Sequence, residues 1–366
     1  MGLNWAIAGG GTGGHVTPAL ALGEAAAERG DQVLFIGARQ GLETRLVPQA
    51  GFELVTLGSG QVMGRSLVGR ATGILRILGS VAAARRALAR FDADVVLSVG
   101  GYAAMPTSLA AALRRTPLVL VEPNAVPGRV NRLCSRFAGQ IFVGFEDAVQ
   151  RFSSAHAEVR NAGIPLRRAL VARFRDAPPR RTPEPPFRLF VFGGSQGAHQ
   201  INQVMKASLP QLRDLPLEIV HQSGDADREE LESAYRDAQI AAQVVAFETD
   251  MPTRYRWADL AICRAGALTV AELALSGLPA LLIPYPFATD NHQAANAGEF
   301  EREGAAIGLH ELPRDGSDGR HLVSLLCELL AAPQRLQDMS AAASRLARPD
   351  AATGVINACA QWLEVA

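Results

Sequence analysis

No uninterrupted apolar run in this 366-residue sequence approaches the roughly 20 residues that a membrane-spanning helix needs. Nor does the N-terminus show a basic segment followed by an apolar stretch; it enters a strand at Leu3, and no secretory leader is expected. Cysteine is sparse. Cys134, Cys263, Cys327 and Cys359 form no C-x-x-C pair and lie near no histidine at ligand spacing, which argues against a zinc site or a disulfide framework and fits a reducing cytosol. Net charge is missing too: 36 basic and 36 acidic residues cancel, so no global field points to nucleic acid. Lysine is almost absent, with Lys206 alone among the basic residues that are otherwise arginine.

What is present is a repeating alternation. Short apolar runs, several of them ending in glycine, alternate with segments of helical periodicity such as Ala19–Glu28 and Ala103–Leu113. In the first half the runs are Leu3–Ala8, Gln32–Ile36, Val95–Val99, Leu118–Val121 and Gln140–Val143. The second half gives Arg188–Phe192, Leu217–His221, Val244–Phe247, Leu260–Cys263, Ala280–Pro284 and Ala305–Leu309. Continuous Val/Ile/Leu runs mark strands buried on both faces, hence parallel sheets with crossover helices. Arg173–Phe187 holds Pro178, Pro179, Pro183, Pro185 and Pro186, a density that admits neither helix nor central strand and reads as a semi-rigid linker. The expected fold is α/β: two doubly wound, Rossmann-like parallel-sheet domains facing a cleft. Their predicted bounds are residues 1–165 and 188–345, with a linker at 166–187 and a final helix at 346–366 that packs back on the first domain.

The first strand runs into Gly9-Gly10-Gly11-Thr12-Gly13-Gly14-His15 before a helix. Glycines let the backbone turn sharply and approach a ligand, and the helix N-terminus offers free N–H groups to an anion. Gly9, Gly11 and Gly14 also fit the dinucleotide pattern G-x-G-x-x-G, and a tight turn without ligand would look the same. Two further glycine exits follow, Gly100-Gly101-Tyr102 and Gly193-Gly194-Ser195-Gln196-Gly197-Ala198. Three such exits together favour a phosphate-bearing ligand. A nicotinamide cofactor would want an acid at the end of the second strand, where Arg39 stands instead. Arg39 could suit a 2′-phosphate, which keeps an NADP-dependent oxidoreductase as an alternative.

With these loops in order, the segment Cys263-Arg264-Ala265-Gly266-Ala267-Leu268-Thr269-Val270-Ala271-Glu272 closely resembles the MurG family of glycosyltransferases, from Ile7 to about Ala306. The resemblance implies a GT-B architecture. It also implies inverting transfer of N-acetylglucosamine from UDP-N-acetylglucosamine to undecaprenyl-diphosphate-linked N-acetylmuramyl pentapeptide, at the cytoplasmic face of the membrane and without a cofactor. It places Thr12, Gly13, Gly14 and His15 in the first loop, facing acceptor and donor diphosphate. Asn124 and Arg167 fall near the donor sugar, and Ser195 on the diphosphate. Ala267, Leu268, Thr269, Val270, Ala271 and Glu272 form the nucleotide-sugar segment, with Glu272 on the ribose hydroxyls. Glu248 falls where the backbone reads the uracil edge, and His292 and Gln293 fall on the sugar. The chain departs from the family's usual pattern at Glu122-Pro123-Asn124, where Glu-Gln-Asn is common, and at His292, where glutamine can occur.

Sugar transfer needs an activated acceptor hydroxyl, a stabilised leaving diphosphate and an oriented donor. His15 is the candidate base, because imidazole titrates near neutral pH; a structural histidine bonded within the loop is the alternative. Asp92-Ala93-Asp94 and Asp225-Ala226-Asp227 mimic a metal-binding D-x-D, but their places before a strand and at a helix start read as structural, and no metal is expected. From Leu54 to Phe91 there is no acid, while Arg65, Arg70, Arg76, Arg85, Arg86 and Arg90 fall there. Ile74, Ile77, Leu78 and Val81 keep helical spacing beside them. An apolar stripe bordered by arginine suits an anionic membrane surface, and it equally suits an ordinary core-facing helix. A UDP-sugar epimerase and a non-catalytic nucleotide-sugar-binding module complete the alternatives.

Overall fold

The computed structural model describes residues 2–58, 67–153, 155–194 and 197–365, with side chains between 67 and 75 left aside. Two compact units emerge, Met1–Val171 with Arg348–Ala366, and Ala172–Ala347. In the first, seven parallel strands follow the order β3-β2-β1-β4-β5-β6-β7. They are β1 (Asn4–Gly9), β2 (Gln32–Ala38), β3 (Glu53–Leu57), β4 (Val95–Gly100), β5 (Leu118–Glu122), β6 (Gln140–Val143) and β7 (Glu158–Asn161). The second unit has six, in the order β10-β9-β8-β11-β12-β13. These are β8 (Phe187–Phe192), β9 (Leu217–Gln222), β10 (Ala242–Val245), β11 (Leu260–Cys263), β12 (Ala280–Leu282) and β13 (Ala306–Gly308).

All pairings are parallel, as continuous apolar runs require. Strand β4 is buried at every position, and so are β5 and β6. One core layer under the first sheet gathers Trp5, Ile7, Leu20, Phe35, Leu97 and Val121, and the layer on the opposite face gathers Ile36, Leu88, Val96, Leu120 and Ile141. Two strands lie outside the predicted set, β3 and β7. Both are edge strands, only partly buried and polar on one face, so they lack the continuous apolar run. The run predicted as Val244–Phe247 is registered two residues earlier, because Phe247 lies past the strand and is 57% exposed.

The final helix, Ala351–Val365, packs on the helix Gly13–Glu28 of the first unit. Val355, Ile356 and Cys359 are fully buried there, and each apolar side chain so buried contributes about 1.5–3 kcal/mol. The stretch predicted as a linker, 166–187, begins instead with a helix at Arg168–Phe174. Its proline-rich remainder is anchored to the second unit. Arg180 donates to the carbonyls of Tyr255, Ser276 and Ala258, and Arg181 pairs with Asp259 at 2.9 Å. Proline removes the N–H groups that would pair this stretch with a sheet, so side chains hold it in place.

Candidate active site

Strand order reverses between β1 and β4 in the first sheet and between β8 and β11 in the second. Ligands of open parallel sheets bind outside the carboxyl ends at such points. Four of the sequence motifs stand there. Gly9–His15 leaves β1, Gly100–Tyr102 leaves β4, Gly193–Ala198 leaves β8, and Arg264–Glu272 leaves β11. The motifs that looked scattered along the chain are therefore paired by topology, two at each switch point.

In the first unit the helix Gly13–Glu28 starts after Thr12, whose carbonyl accepts from both His15 and Val16 at 3.1 Å. Thr12 Oγ1 and His15 Nδ1 are hydrogen-bonded at 3.0 Å. Gly101 has φ +79°, and a Cβ there would meet the Gly10 carbonyl at 2.8 Å and the His15 ring at 3.5 Å, so the second loop lies directly against the first. Behind the first loop lies Glu43, which is fully buried. It accepts from the amides of Gly11 at 2.9 Å and Ala38 at 3.0 Å. A Cβ on Gly10 would come within 2.3 Å of its carboxylate, which is why that position is glycine. A second buried acid, Glu122, accepts from the amides of Asn124 at 3.0 Å and Gly128 at 2.8 Å, and from Asn131 Nδ2 at 3.0 Å. Burial raises its carboxyl pKa, and these hydrogen bonds oppose the rise. Asn124 also donates its side-chain amide to Glu122, at 3.3 Å. Arg167 forms an ion pair with Glu24 of the helix Gly13–Glu28, at 2.6 Å.

In the second unit the helix Ala267–Ser276 is capped by Gly266, whose carbonyl accepts from Val270. The amides of Ala267, Leu268 and Thr269 thus head the helix, where backbone N–H groups have no intrahelical partner. Leu268, Thr269, Ala271 and Glu272 are half-buried, whereas the Val270 side chain is wholly in the core. Glu272 Oε2 accepts from the Tyr255 hydroxyl at 2.6 Å, and burial pushes its carboxyl up to about 7. Arg264 cross-braces three exits: it donates to Gln200 Oε1 at 2.8 Å and to the carbonyls of Ile283 and Pro284 at 3.1 and 3.2 Å. Asn296 donates to the Ala265 carbonyl at 3.0 Å and ties in the helix His292–Arg302. His292 and Gln293 open that helix after Asp290 and Asn291, both in the left-handed region (φ 52° and 53°). Such strain in two consecutive residues is typical of functional turns. Gln293 Oε1 accepts from the Tyr285 amide, and His292 Nδ1 lies 2.8 Å from the Thr289 carbonyl.

Glu248 follows β10. Its carboxyl tends upward through burial but is held below the usual range by Arg254 and the Asp250 amide. Its own amide donates to Gln222 Oε1 at 3.1 Å, while Gln222 Nε2 donates to the Gly194 carbonyl. Gln222 thus connects the third glycine loop to the Glu248 segment. Glu43, Gln222 and Tyr255 were not anticipated from sequence; a lone acid, glutamine or tyrosine has no spacing signature, and only its folded partners reveal it. Ser195 lies outside the described residues.

Arg65 lies outside the described residues, as do the side chains of Arg70 and Ile74. In the rest of the helix Leu67–Phe91, Ile77 and Val81 pack on the core, so that stripe is the core face. Arg76 is exposed, and Leu78, expected on the same stripe, is instead 59% exposed. The next helices in packing order carry exposed Leu113, Leu133 and Phe137. Among the described residues, no helix is long and apolar enough to cross a membrane, and no cluster of three metal-ligating side chains occurs. Asp94 accepts from the Asn4 amide, and Asp227 is engaged by Asn202 and His199.

The sequence matches the glycosyltransferase family 28 N-terminal domain over residues 5–143 and the family 28 C-terminal domain over 188–355. It is 40% identical over 355 residues, covering 96% of each chain, to a protein of Geobacter metallireducens named UDP-N-acetylglucosamine–N-acetylmuramyl-(pentapeptide) pyrophosphoryl-undecaprenol N-acetylglucosamine transferase. The chain belongs to the MurG family of glycosyltransferases. A relative of the same name from Stutzerimonas stutzeri is 41% identical, covering 100% of this chain and 99% of its own. The crystal structure of Acinetobacter baumannii MurG superposes with a TM-score of 0.78 at 32% identity, covering 97% of this chain and 98% of that one. Family membership confirms the two-domain GT-B fold and a UDP-N-acetylglucosamine-dependent glycosyltransferase activity, and it disfavours the epimerase and oxidoreductase alternatives.

Proposed function

We propose that this protein transfers N-acetylglucosamine from UDP-N-acetylglucosamine to the undecaprenyl-diphosphate-linked N-acetylmuramyl pentapeptide of peptidoglycan synthesis, inverting the anomeric carbon. The observation that carries this reading is the segment Arg264–Glu272 at the switch point of the second sheet. There, free helix amides stand beside a carboxylate that can accept from a ribose diol. The donor nucleotide lies on this edge, its uracil against the Glu248 backbone and the exposed Phe247, its ribose on Glu272 and its diphosphate on the amides of Gly193–Ala198 and Ala267–Thr269. His292 and Gln293 meet the sugar.

The loops of the first unit serve the acceptor. His15 takes the proton of the attacking hydroxyl, and a single displacement at the anomeric carbon expels UDP, whose developing charge the helix amides stabilise. For Nε2 to be the base, Nδ1 must hold its proton and donate it to Thr12 Oγ1, which makes Thr12 the residue that fixes the tautomer. Arg167 and Asn124, expected near the donor sugar, are held by Glu24 and Glu122. No step requires a metal or cofactor. Arg76, Leu78 and the exposed apolar residues of the neighbouring helices support docking on the anionic cytoplasmic surface of the membrane, where the acceptor resides.

Incubation with labelled UDP-N-acetylglucosamine and a short-chain lipid-linked muramyl acceptor should yield the labelled disaccharide lipid and UDP. Consumption of donor without that product, or thermal stabilisation by NADPH but not by UDP, would end this reading.

A further inference from the structure

We propose that Tyr255 is a positioning residue for donor binding, holding the Glu272 carboxylate so that its remaining lone pairs face the ribose diol. This inference rests on the reading that Glu272 receives the ribose. Tyr255 sits on the helix Met251–Trp257 and is 0% exposed. Its ring is boxed in by Phe190, at 6.2 Å and edge-on, and by Phe192 at 6.0 Å; both come from β8, beside β11 in the sheet. The hydroxyl therefore has a fixed place, and it donates to Glu272 Oε2 at 2.6 Å. Among the described residues Oε1 has no partner in the protein, and Glu272 is half-buried rather than closed off. A carboxylate held by one oxygen and open at the other suits two adjacent hydroxyl donors, whereas a freely rotating one would be ordered only on binding.

The same contact sets the charge. Burial favours the neutral carboxyl, and the hydroxyl that donates to Oε2 favours the anion; together they leave Glu272 titrating at about 7. The titratable group that acts on it is Tyr255, and Glu272 in turn raises the buried Cys263 thiol at the end of β11. The nearby Arg264 is turned to Gln200 and the β12 exit, and the packed helices His292–Arg302 and Pro333–Leu346 approach through the uncharged Asn296 and Ser340. A protonated Glu272 would lose an acceptor site and place a donor against the diol. Removing the Tyr255 hydroxyl moves the titration upward, so the anion is scarce at neutral pH and recovers in mild alkali.

The experiment compares calorimetric affinities of UDP and its 2′,3′-dideoxy analogue between pH 6 and 9. Their ratio isolates the diol and cancels titration of the diphosphate. In the native protein the ratio should reach about tenfold to a hundredfold at pH 8, the span of hydrogen bonds to a charged acceptor, and shrink below pH 7. Tyr255→Phe should lose most of the ratio at pH 7 and regain it by pH 9. Glu272→Gln should keep it low at every pH. If Glu272→Gln discriminates as the native protein does, the ribose reading itself fails. If Glu272→Gln loses the ratio while Tyr255→Phe keeps it, or loses it equally at all pH values, Tyr255 merely packs and the positioning role is overturned. Should Tyr255→Phe not fold, the native protein decides: a ratio flat from pH 6 to 8 overturns the inference.

Discussion

The two units place acids at the same edge of the same kind of sheet and use them in opposite ways. In the first, Glu43 and Glu122 are turned inward, and both oxygens of each accept hydrogen bonds from loop amides or Asn131. Both are buried, so neither is open to a ligand. In the second, Glu272 is held through one oxygen only, and the loop bracing that the acids provide in the first unit falls to neutral Gln222 and to Arg264. A buried carboxylate with both oxygens engaged shapes a loop; one held by a single oxygen and only half-buried can meet a substrate. At the third glycine exit, in the second unit, the acid present, Asp227, is likewise engaged, by His199 and Asn202.

The sharpest way to test the division of labour is His15→Ala. Turnover should fall by about 10²–10⁴ while the donor KM stays within about twofold, because the proposed base lies in the first unit and the proposed donor site in the second. An unchanged kcat in the transfer assay would remove His15 from its role. Next comes the pH dependence of the second unit. Since Glu272 titrates at about 7 and accepts both ribose hydroxyls only when ionised, the binding affinity for UDP-N-acetylglucosamine, a readout that does not involve the base His15, should drop by up to about tenfold per unit as pH falls below 7. Glu272→Gln should flatten that limb, and an acid limb that persists in the variant would assign it to another group.

For the first unit, Glu43→Gln places an amide nitrogen against a backbone N–H in a fully buried site. A cost of about 1–3 kcal/mol is expected, read as a lowered denaturation midpoint. Gly10→Ala, whose new methyl would press on the same carboxylate, should behave alike. If both variants melt like the native chain, the acid is no brace. The smallest effect should be at the surface, where Arg76→Ala weakens flotation with anionic vesicles by roughly fivefold, as one arginine near the membrane contributes about 1 kcal/mol. Equal flotation would detach this helix from membrane binding.

Much of this was legible in the residues. The buried parallel strands wrote themselves as Val/Ile/Leu runs, and the glycine exits after β1, β4 and β8 stood out because a backbone turning at a sheet edge tolerates no side chain. The edge strands β3 and β7 did not, since a half-exposed strand carries polar residues and loses the run. The stripe Ile77–Val81 showed helical spacing without showing which side it faces; packing assigned it to the core and left Leu78 outside.

By itself the sequence determined the fold class, the family and the glycine loops proposed to carry the chemistry, because local hydrophobic period and glycine content are properties of neighbouring residues. Only the tertiary structure decided which loops share a switch point, that Glu43 lies behind Gly10–Gly11, and that Tyr255 reaches Glu272 across 17 residues of chain. Those are distances between segments that the chain separates and the sheet order brings together, and no local pattern of residues encodes them.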